Sequence, residues 1–198
     1  LTEDDELAEL FERYDKERPR VTWLVNNAGF GKRGPFDSVP VETNLDMIDL
    51  NVRALTEITQ RTLPYCAEGS HILQVASSAA FAPLGNLAVY AATKAYVLNF
   101  SNALAVELEQ RGITCTAVCP GPVETEFQSI AYEEKETAYP DGFMAKAGHV
   151  VRRSIADARK GRLNSVYGVS MKVWAAISGM LPRRIPARTG ESAYDSGI

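Results

Sequence analysis

The spacing of hydrophobic and polar positions changes several times along this chain, and each change predicts an element. From Thr2 to Lys16, apolar Leu7, Leu10 and Phe11 share one side of a helix. Acids crowd its front, where the helix dipole favours carboxylates. Val21 to Val25 is a short β-rich run with Val21, Trp23 and Val25 on one face and Leu24 on the other. A strand apolar on both faces is one covered on both faces. A long helical pattern runs from about Glu42 to Leu63, with Leu45, Ile48, Val52 and Leu55 at three- and four-residue steps, and Pro64 ends it. His71 to Ala76 predicts a second strand. Tyr90 to Gln110 predicts another long helix, with Gly112 as its stop signal. Ile113 to Cys119 is a third strand, broken by Pro120-Gly121-Pro122. A weaker helix is predicted over Ala145 to Arg159, a fourth strand over Ser165 to Val169, and an apolar segment over Val173 to Leu181.

Strands alternating with helices predict an α/β fold, a doubly wound parallel sheet in a three-layer α/β/α arrangement. Ligands of such sheets bind beyond the carboxyl ends of the strands. Asn26-Asn27-Ala28-Gly29-Phe30-Gly31, Ser77-Ser78 and Pro120-Gly121 each fall just past a predicted strand. Three separate elements therefore bring polar or glycine-rich chemistry to one edge. The length of 198 residues predicts one domain over 1–198, with Thr189 to Ile198 as a loose polar tail.

Composition removes several function classes. With 21 Lys plus Arg against 25 Asp plus Glu, the net charge is −4, and the basic footprint of a nucleic-acid protein is missing. No uncharged apolar run approaches the ~18 residues of a membrane span. No charged-then-apolar leader opens the chain, so a cytoplasmic location is expected. The two histidines, His71 and His149, leave little for a histidine metal site or relay. Cys115 and Cys119 lie on one predicted strand, with Cα atoms roughly 13 Å apart. A disulfide needs about 7 Å, so the cysteines read as buried small hydrophobes in a reducing compartment.

Candidate chemistry centres on Tyr90 and Lys94. Four apart near the start of a helix, they share a face. A nearby ammonium lowers a tyrosine pKa from about 10, which suits proton exchange with a carbonyl or alcohol. Ser77 ends the neighbouring strand, where its hydroxyl could bond the same substrate oxygen; Ser78 is the competing candidate. Asn51 is mid-helix, a poor place for asparagine unless its amide is used.

Asn26-Asn27-Ala28-Gly29, Asn51, Ser77, Tyr90-Ala91-Ala92-Thr93-Lys94 and Pro120-Gly121-Pro122-Val123-Glu124-Thr125 occur in this order. The set resembles the short-chain dehydrogenase/reductase family over about Val21 to Val169. The wording of Val75 to Phe81 and Ala88 to Val97 looks like its bacterial DltE-like oxidoreductase branch. The resemblance implies a Rossmann-like fold and an NAD(P)-dependent oxidoreductase acting on a small carbonyl or secondary alcohol, with NADP slightly favoured over NAD. It makes Tyr90 the general acid/base and Lys94 the residue that tunes it and holds the nicotinamide ribose. It makes Ser77 the residue that orients the substrate oxygen and Asn51 the holder of a water linking Lys94 to solvent. Asn26, Ala28 and Gly29 match the turn at the adenosine half. Pro120, Gly121, Val123 and Thr125 match the segment flanking the nicotinamide.

The family's opening glycine-rich strand–turn–helix does not precede Asn26. At ~30 residues per βαβ repeat, about 60 residues are expected ahead of Leu1. The fold is therefore read as incomplete on that side, with Val21 to Val25 left as a sheet edge. A non-catalytic fragment that cannot bind cofactor is the alternative. An epimerase or dehydratase, which also uses Tyr-x-x-x-Lys, is a third reading that the Asn26 to Gly29 motif opposes. The apolar stretch from Ala79 to Leu87 predicts a partly apolar substrate, and Gln128 to Phe143 a lid. Outward apolar residues on the two long helices predict a homodimer or homotetramer. Met171 to Arg184 reads as a pocket wall or subunit contact. A membrane-surface helix is the lesser alternative, and membrane contact is not expected.

Overall fold

The computed structural model describes residues 1–2, 4–127, 131 and 143–188. In chain order it contains α1 (Asp4–Glu17), β1 (Val21–Asn26), α2 (Val41–Ile48), α3 (Leu55–Thr62), β2 (Cys66–Val75), α4 (Ala88–Leu108) and β3 (Thr114–Val118). A short parallel pair, β4 (Val123–Glu124) and β5 (Ala145–Lys146), precedes α5 (Ala147–Ala158), β6 (Asn164–Ser165) and α6 (Val169–Ile177).

The main sheet has the order β1-β2-β3-β6, and its neighbours are all parallel. Leu24, Ile72 and Cys115 align across three strands. Together they meet Leu104, Ala105 and Leu108 of α4 on one face. An odd number of residues along, Leu73 and Val118 point the other way, onto Val150 and Ala158 of α5. The period-two alternation of strands thus supplies both apolar layers, and the Rossmann-like three-layer arrangement predicted above is the one observed. β1 is the edge strand, and Val25 on it is 51% exposed.

Several boundaries differ from the sequence reading. β2 begins at Cys66 rather than His71, because Cys66 pairs with Val21 ahead of a register shift. Ser70 ties that irregular stretch down by donating to the Val21 carbonyl at 2.8 Å. The predicted fourth strand shrinks to Asn164–Ser165, paired with Ala117 and Val118, and the Ser165 carbonyl accepts from Cys119 N at 2.9 Å. Gly168, at φ 87°, then redirects the chain, and Val169 opens α6.

The long helix expected over 42–63 is also not uniform. A π-helical turn, Asp49–Ala54, separates α2 from α3. The residues facing inward are Asn44, Met47, Asn51 and Ala54, while Leu45 and Ile48 are 54% and 41% exposed. The front of the apolar stripe, Leu45 and Ile48, thus turns away from the core, while Leu55 at its end is buried in it. α1 is anchored by buried Leu7 and Phe11, with the Arg61 guanidinium 4.1 Å above the Phe11 ring. All three cysteines are buried and free. Most of the predicted lid and the whole predicted tail lie outside the described residues.

Candidate active site

The turn after β1 is held by a closed set of hydrogen-bonded side chains, of which Thr59 and Gln74 are buried. The Asn26 amide donates to Thr59 Oγ1 and to Gln74 Oε1, each at 2.8 Å. Gln74 Nε2 donates to the same Thr59 oxygen at 2.9 Å, and Thr59 passes its own proton to the Leu55 carbonyl. Gln74 is fully buried near the carboxyl end of β2. A buried amide survives there only because each polar atom has a partner. The sequence reading missed it; an uncharged polar residue inside the run His71 to Val75 was the available signal. Asn26, Asn27 and Ala28 line a cavity of about 110 Å³ together with Leu1, Val25 and Leu50.

Asn51 holds the next residues of that turn. Its Oδ1 accepts from Phe30 N at 3.1 Å and its Nδ2 donates to Phe30 O at 2.9 Å. The second Nδ2 proton reaches Thr93 Oγ1 at 3.1 Å, and Thr93 donates to the Tyr90 carbonyl at 2.8 Å. Asn51 therefore joins the loop after β1 to α4 while wholly buried. It can do so because it occupies the π-helical turn, a feature frequent at functional sites. Thr93, between Tyr90 and Lys94, was given no role from the sequence.

Two glycines leave the space this packing needs. A Cβ on Gly29 would meet Asn51 Oδ1 at 2.7 Å and Lys94 Nζ at 3.3 Å. A Cβ on Gly31 would meet the Tyr90 ring at 2.7 Å. Tyr90 itself is nearly buried, clustered with Met47, Ala79 and Ala91, its ring centroid 5.5 Å from that of Phe127.

Lys94 lies one helical turn after Tyr90, with Nζ 5.9 Å from the Tyr90 ring centroid. Nζ donates to the Val75 carbonyl, at the end of β2, at 2.8 Å. The residue is 5% exposed. Burial pulls its pKa down to about 8, with the neighbouring Cys119 pulling slightly the other way. Burial likewise pushes the Cys119 thiol up to about 12, so it stays protonated beside the ammonium.

Ser77 follows β2 in extended backbone and caps the short 3₁₀ turn Ser78–Phe81, its Oγ accepting from Ala79 N at 3.1 Å. Ser78 is engaged through its backbone: its N–H donates to Pro120 O at 2.8 Å, and its carbonyl accepts from Trp174 Nε1 at 3.1 Å. The ends of β2 and β3 are thus tied together beneath α6. Gly121 lies against Met171, whose sulfur a Cβ there would meet at 2.6 Å. Val123 is half-buried against the α5-side core, and Thr125 is exposed.

The structure therefore gathers Asn26, Ala28, Gly29, Asn51, Ser77, Tyr90, Lys94, Pro120 and Gly121 at the carboxyl ends of β1, β2 and β3. Val123 and Thr125 lie at the margin. The arrangement offers a buried ammonium beside a phenol, with a hydroxyl on the adjoining turn, which can move a proton to or from an oxygen.

Comparison with known proteins bears on the chain's family. The family model described as short chain dehydrogenase matches residues 1–136. A probable oxidoreductase, EphD, of Mycobacterium tuberculosis is 30% identical over 194 residues, covering 93% of this chain and 30% of that protein. Sulfoacetaldehyde reductase 2 of Chromohalobacter salexigens is 37% identical over 130 residues, covering 64% of this chain and 49% of that protein. The chain thus matches 30% to 49% of these relatives' length. Among solved structures, a short-chain dehydrogenase from Sphingobium yanoikuyae in complex with NADPH superposes with a TM-score of 0.75. It is 27% identical, and the match covers all of this chain and 73% of that one.

Proposed function

The chain belongs to the short-chain dehydrogenase family, and on that premise we propose that it carries the catalytic half of an NAD(P)-dependent oxidoreductase. The substrate would be a carbonyl or secondary alcohol with an apolar portion. The observation that carries this reading is Lys94: a buried ammonium pinned to the end of β2, on the same face of α4 as Tyr90.

The residues present suit a nicotinamide dinucleotide. Gly29 keeps the turn free of a side chain where Lys94 and Asn51 converge. Among the described residues, Val75 is the one hydrogen-bond acceptor of Lys94 Nζ, so two of three ammonium protons remain for ribose hydroxyls. Asn26, Ala28 and Gly29 would border the adenosine half, and Pro120, Gly121, Val123 and Thr125 the nicotinamide. The bound cofactor supplies or accepts the hydride. Tyr90 gives its proton to the substrate oxygen in reduction, or takes one in oxidation. Lys94 favours the phenolate by its charge. Ser77 orients the same oxygen. Asn51 positions Phe30 and Thr93 around the tyrosine; the role of holding a water beside Lys94 falls to the same residue. NADP is favoured over NAD, and the DltE-like branch remains our assignment within the family, on the wording of Val75 to Phe81 and Ala88 to Val97.

A non-catalytic remnant would gain nothing from keeping a lysine buried at a cost in desolvation. The test is Tyr90→Phe in the enzyme. Turnover of a carbonyl panel with NADPH is expected to fall by about 10² or more, with nucleotide affinity nearly unchanged, because one proton and little volume are lost. Near-normal turnover would overturn the assignment.

A further inference from the structure

α6 has two faces with different fates. Met171 and Trp174 point inward, onto Gly121 and the Ser78 carbonyl. Val169, Val173 and Ile177 point outward and are 78%, 51% and 43% exposed. The stripe continues through Met180, 84% exposed, and Ile185, 52% exposed. Positions 169, 173 and 177 step by four, so they follow one face of α6, and Met180 lies in the turn just past its end. Large apolar side chains this exposed and contiguous mark a surface that something covers.

The charges beside the stripe select its occupant. From Val169 to Arg188 the chain carries Lys172, Arg183, Arg184 and Arg188, all exposed, and neither Asp nor Glu. This stretch of one sign occurs in a chain of net charge −4. A second copy of the chain is a poor fit: a two-fold interface places the same patch against itself, and these cations would face each other. A surface of anionic headgroups over an apolar interior matches both features. α6 has nine residues, far short of a span. No helix among the described residues is long and apolar enough to cross a membrane. The geometry therefore suits a helix lying in the plane of the interface.

We propose that α6 and the segment following it, through Ile185, dock on bilayers carrying anionic lipid. Val169, Val173, Ile177 and Met180 enter the acyl boundary, and Lys172, Arg183 and Arg184 meet lipid phosphates. Docking stands without the proposed catalytic role. If both hold, the inner face of the docked helix borders Ser78 and Gly121, so an apolar substrate can pass from the bilayer to the site.

The test is co-sedimentation of the purified protein with vesicles of phosphatidylcholine containing roughly 30% phosphatidylglycerol, against vesicles of phosphatidylcholine alone. Binding to the anionic vesicles is expected, weakened by salt. Two triple variants, Lys172→Glu/Arg183→Glu/Arg184→Glu and Val173→Ser/Ile177→Ser/Met180→Ser, should each bind about tenfold less or weaker still. Their thermal unfolding should match the parent, since the altered side chains are exposed. No binding to anionic vesicles, equal binding to both compositions, or parent-like binding by either variant would overturn the proposal. Absent vesicle binding, an oligomer dissolved by the apolar variant would reassign the stripe to a second copy. Binding to polyglutamate instead of vesicles would reassign it to an acidic protein.

Discussion

A methyl group at position 31 would sit 2.7 Å from Tyr90 Cδ2 and 3.1 Å from Phe127 Cζ. The backbone there is open to any residue by conformation, so space alone demands glycine. Gly31→Ala should shift the Tyr90 ring by a few tenths of an ångström. On the proposed role of Tyr90, turnover is expected to fall about tenfold, since misplaced reacting groups lose rate steeply. Steady-state kinetics with substrate and cofactor both saturating would check this; an unchanged kcat would show that the tyrosine has room to move.

Lys94 carries a consequence for stability. Its folded-state pKa is about 8, below the ordinary 10.5, because burial disfavours the ammonium. Between those values the unfolded chain holds a proton that the folded chain lacks, so this residue's contribution to stability rises with pH across that window. Below about pH 8 the burial penalty is felt in full. Relative to Lys94→Met, the parent should gain on the order of 2 kcal/mol between pH 7.5 and 9.5. Denaturant unfolding of both proteins at the two pH values measures it. Equal slopes would mean the ammonium is better solvated than its burial indicates. The same titration should weaken ribose binding above about pH 8, because the neutral amine has fewer protons to donate.

At the scale of elements, the π-helical turn Asp49–Ala54 is what makes Asn51 usable. It places a carboxamide against both backbone groups of Phe30 and against Thr93. Asn51→Ala would leave the Phe30 N–H and carbonyl without these partners in a buried place. A loss of about 3 kcal/mol is expected, at ~1–3 kcal/mol per orphaned group, read as a lower denaturant midpoint. Gln74 works one layer away, through Asn26 and Thr59. Gln74→Leu should destabilise the chain and raise KM for the nucleotide more than it lowers kcat, because it loosens the Asn26 turn and leaves Tyr90 in place. An equal fall in kcat would place its effect on the proton-transfer groups instead.

For the whole molecule, the exposed apolar residues of α2 and α4 matter most. Leu45, Ile48, Tyr96 and Val106 are 54%, 41%, 39% and 59% exposed. Such residues on neighbouring helices suit a subunit contact. Light scattering is expected to give a dimer or tetramer, and Leu45→Glu/Ile48→Glu a smaller species. A monomeric mass for the parent would leave those residues unexplained. The apolar surround of Tyr90, with Phe30, Leu84, Leu87 and Phe127 packed near it, bears on the substrate. Ketones with an apolar arm should be turned over more efficiently than small, highly charged ones.

Much of this was legible before any fold. The element order follows from local spacing: apolar runs closed by Asn26-Asn27, Ser77-Ser78 and Pro120-Gly121 are strands, and runs stepped by three and four are helices. Tyr90 and Lys94 share a face because an α-helix returns every 3.6 residues, whatever surrounds it. Ser77 falls at the site because strand ends in a parallel sheet share an edge. Other features were decided only by tertiary structure. Periodicity marks a stripe without saying which way it faces, so the burial of Asn51 and Met47 and the exposure of Leu45 and Ile48 required the packed helices. Gln74, Thr93 and Gly31 acquire their parts from residues 48, 42 and 59 positions away in the chain. The two faces of α6 separate only when Met171 and Trp174 meet Gly121 and Ser78, leaving the rest of its apolar surface to water. Local propensity and period are properties of neighbours along the chain, whereas hydrogen-bond satisfaction and burial are settled by whichever distant segment folds against them.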